Sequence, residues 1–84
     1  MTKHQKALDR LCAAPTPADI RWSELKSALE RLGYVELSGR GSRKKFHHRE
    51  KGLIISCHRP HPSPYVDKGC VADVVAHLRD NRLI

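Results

Sequence analysis

The sequence predicts an α+β fold of the order α-β-β-β-α, a three-stranded antiparallel sheet with both helices on one face. Three observations predict it. Apolar residues recur at helical intervals over 22–32 and again over 68–80, and three segments between them have strand composition and are separated by Arg40-Gly41 and Lys51-Gly52. Each helix has a single apolar stripe to bury, so both are placed on the same side of the meander.

Residues 1–19 read as an N-terminal extension. Ala7, Leu8 and Leu11 allow a short helix over 3–12, which Pro15 and Pro17 stop. The main domain is assigned to 20–84. Its first helix carries Trp22, Leu25, Ala28, Leu29 and Leu32, and Gly33 supplies the residue that most easily takes a left-handed helix terminus. The strands are assigned to 34–39, 42–50 and 53–58. A proline- and histidine-rich connection over 59–66 leads to Asp67, whose carboxylate can cap a helix running from Lys68 to Asp80 with Val71, Val74, Val75 and Leu78 as its stripe.

The chain has 84 residues, enough for one domain and one small core. Sixteen Lys and Arg against nine Asp and Glu leave a net charge of +7, much of it between Arg40 and Lys51. Such a field attracts polyanions. Cys12, Cys57 and Cys70 are widely spaced, and neither a signal-peptide run nor a membrane span is evident. A reducing cytoplasm is the expected location, with Cys57 and Cys70 acting as small buried apolar residues.

The turns predict a register. Treating Lys51-Gly52 as a two-residue turn pairs Glu50 with Leu53, Phe46 with Cys57, His48 with Ile55, Lys45 with His58 and His47 with Ser56. Treating Arg40-Gly41 likewise pairs Gly39 with Ser42, Val35 with Phe46, Leu37 with Lys44, Glu36 with Lys45 and Ser38 with Arg43. Alternation then places Val35, Leu37, Phe46, Leu53, Ile55 and Cys57 inside, with Lys44 snorkelling at the sheet end. The open face is left with a row of Glu36, Lys45 and His58, flanked by Arg43, His47 and Ser56, and few apolar residues.

Imidazole beside cationic side chains suits metal-free cleavage of a phosphodiester. A base activates the 2′-hydroxyl, a cation stabilises the charged phosphate and an acid protonates the leaving oxygen. His58 and His61 are the candidate catalytic residues; Arg40, Ser42, Arg43, Lys45 and His47 are the candidate RNA contacts. Cys57 and His58 are adjacent on a strand and point to opposite faces, so no metal site is assigned, and no cofactor is expected.

Several motifs resemble the HicA toxin family. They are the leucine-rich helix ending at Gly33, Gly39-Arg40-Gly41-Ser42 followed by Lys45-Phe46, His58-Arg59-Pro60-His61-Pro62 at the end of the third strand, and Asp67-Lys68-Gly69 opening the last helix. The resemblance spans about residues 20–82 and is most specific at 39–46. It implies a double-stranded-RNA-binding-like fold and a toxin of a type II toxin–antitoxin system. It further implies a metal-independent endoribonuclease acting on messenger RNA, neutralised by a HicB-type acidic antitoxin, with no membrane partner. The family's usual motif has a catalytic His directly after Gly-Ser, where this chain has Arg43. A guanidinium binds phosphate but does not shuttle protons near neutral pH. The alternatives are therefore a ribonuclease that uses His58 or His61 and a non-catalytic nucleic-acid-binding or regulatory module on the same scaffold.

Overall fold

The computed structural model describes residues 3–37, 43–60 and 63–84, with the backbone alone for residues 3 and 4. Its elements are α1 (Lys3–Leu11), α2 (Trp22–Arg31), β1 (Tyr34–Leu37), β2 (Arg43–His48), β3 (Leu53–His58) and α3 (Lys68–Asp80). The strands form one antiparallel sheet in the order β1-β2-β3.

Both main helices cover one face. Trp22 of α2 stacks obliquely on Phe46 of β2, with ring centroids 5.7 Å apart. From α3, His77 accepts or donates a hydrogen bond with the Tyr34 hydroxyl of β1 at 2.8 Å, depending on its tautomer. Leu25, Ala28 and Leu29 of α2 and Val71, Val74 and Leu78 of α3 are buried against Tyr34, Phe46, Ile55 and Cys57. The stripes predicted for the two helices are thus the ones that form the core.

Local chemistry fixes the helix starts. The Glu24 carboxylate accepts from the Arg21 N–H at 3.2 Å, and Asp67 Oδ2 accepts from the Cys70 N–H at 3.3 Å. The segments just before the two helices are tied together. Arg21 and Tyr65 form an isolated antiparallel bridge, and the Val66 N–H donates to the Ile20 carbonyl at 2.7 Å. This contact brings the two helix N-termini to one end of the sheet. Within the N-terminal segment, α1 packs on α2 and buries Ala7 and Leu11 in the same core. Arg10 clasps Glu24 at 2.8 Å and Asp19 at 2.9 Å.

The registers differ from those the turns predict, and the two differences have unlike consequences. Between β2 and β3, Arg43 faces His58, Lys45 faces Ser56, Phe46 faces Ile55 and His48 faces Leu53. The connection occupies residues 49–52 rather than two residues. Gly52 ends it at φ 64, its N–H donating to the His48 carbonyl at 2.8 Å, while the Lys51 N–H donates to His48 Nδ1 at 3.3 Å. This is a two-residue displacement. Side chains alternate with period two, so every β2 and β3 residue keeps its expected face.

Between β1 and β2 the displacement is a single residue, and the faces exchange. Tyr34 pairs with His48, Val35 with His47, Glu36 with Phe46 and Leu37 with Lys45. Val35 and Leu37, expected inside, are 42% and 40% exposed, whereas Tyr34 is buried. Glu36, expected on the open face, lies on the covered side and pairs with Lys26 of α2 at 3.8 Å. A tyrosine ring buries far more surface than a valine side chain. Tyr34 also gains an edge-on contact with His48, at 5.2 Å between centroids, and the bond to His77. Arg40-Gly41, the turn used for that expectation, lies outside the described residues.

Candidate nucleic-acid interface

Cross-strand pairing orders the uncovered face into three rows. Val35, His47 and Ile54 form the first; Leu37, Lys45 and Ser56 the second; Arg43 and His58 the third. The face is graded. Its first row is largely apolar, with Ile54 55% exposed, and its last row carries a guanidinium directly opposite an imidazole. The expected row of Glu36, Lys45 and His58 does not exist, because Glu36 is on the other side of the sheet. With that carboxylate removed, the titratable side chains among the described strand residues of this face are cationic or imidazole and none is acidic, which strengthens its attraction for anions.

Arg43, Lys45, Ser56 and His58 are exposed and His47 is half-buried. Directly opposed residues in an antiparallel pair have Cβ atoms about 4.5–5.5 Å apart, so Arg43 and His58 can address the same phosphate. Lys45, one pleat along β2 on the same face, extends the positive strip. Of the remaining sequence candidates, Arg40, Ser42 and His61 lie outside the described residues.

Three other features bear on the site. A groove of about 700 Å³ runs between the edge of β3 and the first half of α3, with His58 and Ser56 on one wall and Asp67, Cys70 and Asp73 on the other. His58 therefore sits where the basic face meets this groove. A smaller depression of about 330 Å³ is lined by Arg21, Ser23, Arg59 and Ser63. Arg21 and Arg59 were not singled out in the sequence. Arg59 follows His58 in an irregular connection without a periodicity to read. Arg21 is positioned by its non-local bridge to Tyr65, over whose ring its guanidinium lies at 5.5 Å from the centroid.

Two histidines have structural roles. His48 is buried and its Nδ1 accepts the Lys51 N–H; His77 holds the Tyr34 hydroxyl. Cys57 is buried on the covered side and His58 exposed on the other, so the adjacent pair faces two environments. Among the described residues no three His, Cys, Asp or Glu side chains converge as metal ligands.

Residues 22–80 match a family model described as HicA toxin of bacterial toxin-antitoxin. The chain belongs to the HicA toxin family. The match runs from the first residue of α2 to the last residue of α3, so it takes in the whole sheet and both of its covering helices, while α1 lies before it. Neither the curated proteins nor the solved structures yield a match. Family membership makes this a toxin of a toxin–antitoxin system, with an antitoxin as its partner. Among the described residues, no helix of this HicA-family chain is long and apolar enough to cross a membrane.

Proposed function

We propose that this HicA-family toxin binds messenger RNA on the uncovered face of its sheet and cleaves it without a metal ion. The observation that carries the reading is the direct opposition of Arg43 and His58 on a face that neither main helix covers. Arg43 and Lys45 bind the phosphate, and Arg40, Ser42 and His47 add further contacts to the RNA. One imidazole removes the 2′-hydroxyl proton, the 2′-oxygen attacks phosphorus, and a second imidazole protonates the departing 5′-oxygen. His58 and His61 fill these two roles, and the guanidinium of Arg43 stabilises the phosphorane charge. A HicB-type acidic antitoxin neutralises the toxin by covering the same face. Its acidic side chains meet the Arg43 end, and apolar ones meet Val35, Leu37 and Ile54.

RNA incubated with wild type in excess chelator should be degraded, and His58→Ala or His61→Ala should suppress products while leaving the far-UV spectrum unchanged. Full cleavage by the double alanine variant would remove the mechanism.

A second reading is favoured by Arg43 itself. It stands where the HicA motif carries its catalytic His, and arginine is no proton shuttle near pH 7. On that reading the chain binds RNA through its basic face as a non-catalytic or regulatory module. Salt-sensitive binding with no products after prolonged incubation would select it.

A further inference from the structure

Arg21 and Arg59 are far apart in sequence, yet the fold brings them to one depression of about 330 Å³, with Ser23, Ser63 and the apolar Trp22 and Pro64 beside them. Both arginines are exposed. Among the described residues no carboxylate lines this depression, and neither guanidinium is paired with an acid, unlike Arg10, which is held by Asp19 and Glu24. Two positive charges that line one concavity repel each other, and both gain by sharing an anion.

The walls are set before any ligand arrives. Arg21 is fixed by its backbone bridge to Tyr65 and by the Tyr65 ring, over which its guanidinium lies at 5.5 Å from the centroid. Arg59 and Ser63 each precede a proline, which confines their backbones to extended conformations. The Ser63 oxygen accepts from the Tyr65 N–H at 3.1 Å, which leaves its O–H to donate. Guanidinium forks and hydroxyl donors suit phosphate oxygens, which a fork meets with two parallel hydrogen bonds.

The place of the depression narrows the ligand. Arg59 follows His58, the last residue of β3, so it stands one residue, about 3.8 Å between Cα atoms, beyond the row of Arg43 and His58. A polynucleotide with one phosphate at that row carries its next charge toward Arg59. The regular repeat of charge along such a backbone matches cations that continue past the end of a strand.

We propose that Arg21 and Arg59, with Ser23 and Ser63, form a second phosphate subsite, which takes an RNA phosphodiester flanking the one held at Arg43 and His58. The subsite rests on the RNA-binding reading of the sheet face, and it extends the path of the strand past the end of β3 to the start of α2. Its residues position the RNA across His58 and take no part in proton transfer.

The probe is a short fluorescent single-stranded RNA with every 2′-hydroxyl methylated, which removes the nucleophile so that binding is read without cleavage. Anisotropy titrations over a salt series compare wild type with Arg21→Gln/Arg59→Gln and with Arg43→Ala. A further variant, Arg31→Gln/Arg79→Gln, removes the same charge from exposed positions outside the depression. Substituting Arg21 and Arg59 should weaken binding about tenfold. It should also reduce the slope of log K against log salt by about 0.7, and this loss should add to that of Arg43→Ala. Substituting Arg31 and Arg79 should cost much less of both. Equal losses in the two glutamine pairs would make the effect one of net charge and overturn the subsite. Unchanged binding on substituting Arg21 and Arg59, while Arg43→Ala still weakens it, would also overturn it. That result keeps RNA on the sheet and leaves the depression to carboxylates of the antitoxin. Wild-type binding without salt dependence would instead sink the sheet-face reading and the subsite together. Arg59→Gln alone, which leaves the Arg21–Tyr65 contact intact, should show part of the loss and decides the matter if the double variant folds poorly.

Discussion

The face on which β1 presents its side chains can be tested by comparing Tyr34→Ala with Val35→Ala. Tyr34 is 2% exposed, bonded through its hydroxyl to His77 and set edge-on against His48. Truncating a buried aromatic ring costs about 3–5 kcal/mol, through lost transfer energy and the cavity left behind. Against a total stability of roughly 4–13 kcal/mol for a chain of this size, that is a large fraction. Val35 is 42% exposed, so its truncation should cost no more than about 0.5–1 kcal/mol, mostly strand preference. One kcal/mol shifts the midpoint of a domain this small by about 4–8 °C. Tyr34→Ala should therefore lower Tm by more than about 12 °C and Val35→Ala by less than about 8 °C. Tyr34→Phe keeps the ring and loses only the hydroxyl bond, for about 0.5–1.5 kcal/mol. Urea and thermal unfolding followed by circular dichroism give all three values. If Val35→Ala proved the more damaging of the two alanine variants, the register described here would be wrong and Val35 would lie in the core.

Burial pushes the Tyr34 phenol above its ordinary value of 10.0, so the folded chain keeps that proton after the unfolded chain has released it. The resulting stability is fully present below pH 10 and is lost as pH rises toward the folded value. The difference in urea midpoint between wild type and Tyr34→Phe should be constant below about pH 10 and shrink above it. Gly33 sits at φ 100, and a Cβ there would lie 3.0 Å from His48 Nε2. Gly33→Ala should therefore cost about 1–3 kcal/mol in equilibrium unfolding, and a neutral result would contradict that close approach. Arg43→Ala should weaken RNA binding and reduce the slope of log K against log salt by about 0.7 for a single strand, read by fluorescence anisotropy. An unchanged slope would place Arg43 away from phosphate.

Much of the fold is legible locally. The stripes of α2 and α3, Asp67 at the start of α3, and the alternation of β2 and β3 are short-range patterns, and each corresponds to what forms. The positions of Lys45 and His58 on one face survived an error in the turn because a two-residue shift preserves parity. Arg43 opposite His58, in contrast, needed the four-residue connection at 49–52, which is closed by backbone and His48 bonds that no dipeptide signature announces.

The sequence alone determined which segments are helices and strands, the net positive charge and the motifs that resemble HicA. Tertiary structure decided which face of β1 turns inward. Tyr-Val-Glu-Leu alternates in either sense, with Val35 and Leu37 forming the more uniformly apolar pair. Local pattern therefore favours the wrong side. What selects Tyr34 is a fit made by three distant residues: the His48 ring, the His77 nitrogen, and Lys26 beside the Glu36 that must follow it inward. Register is a property of the assembled core, because a strand takes the face whose side chains find partners there.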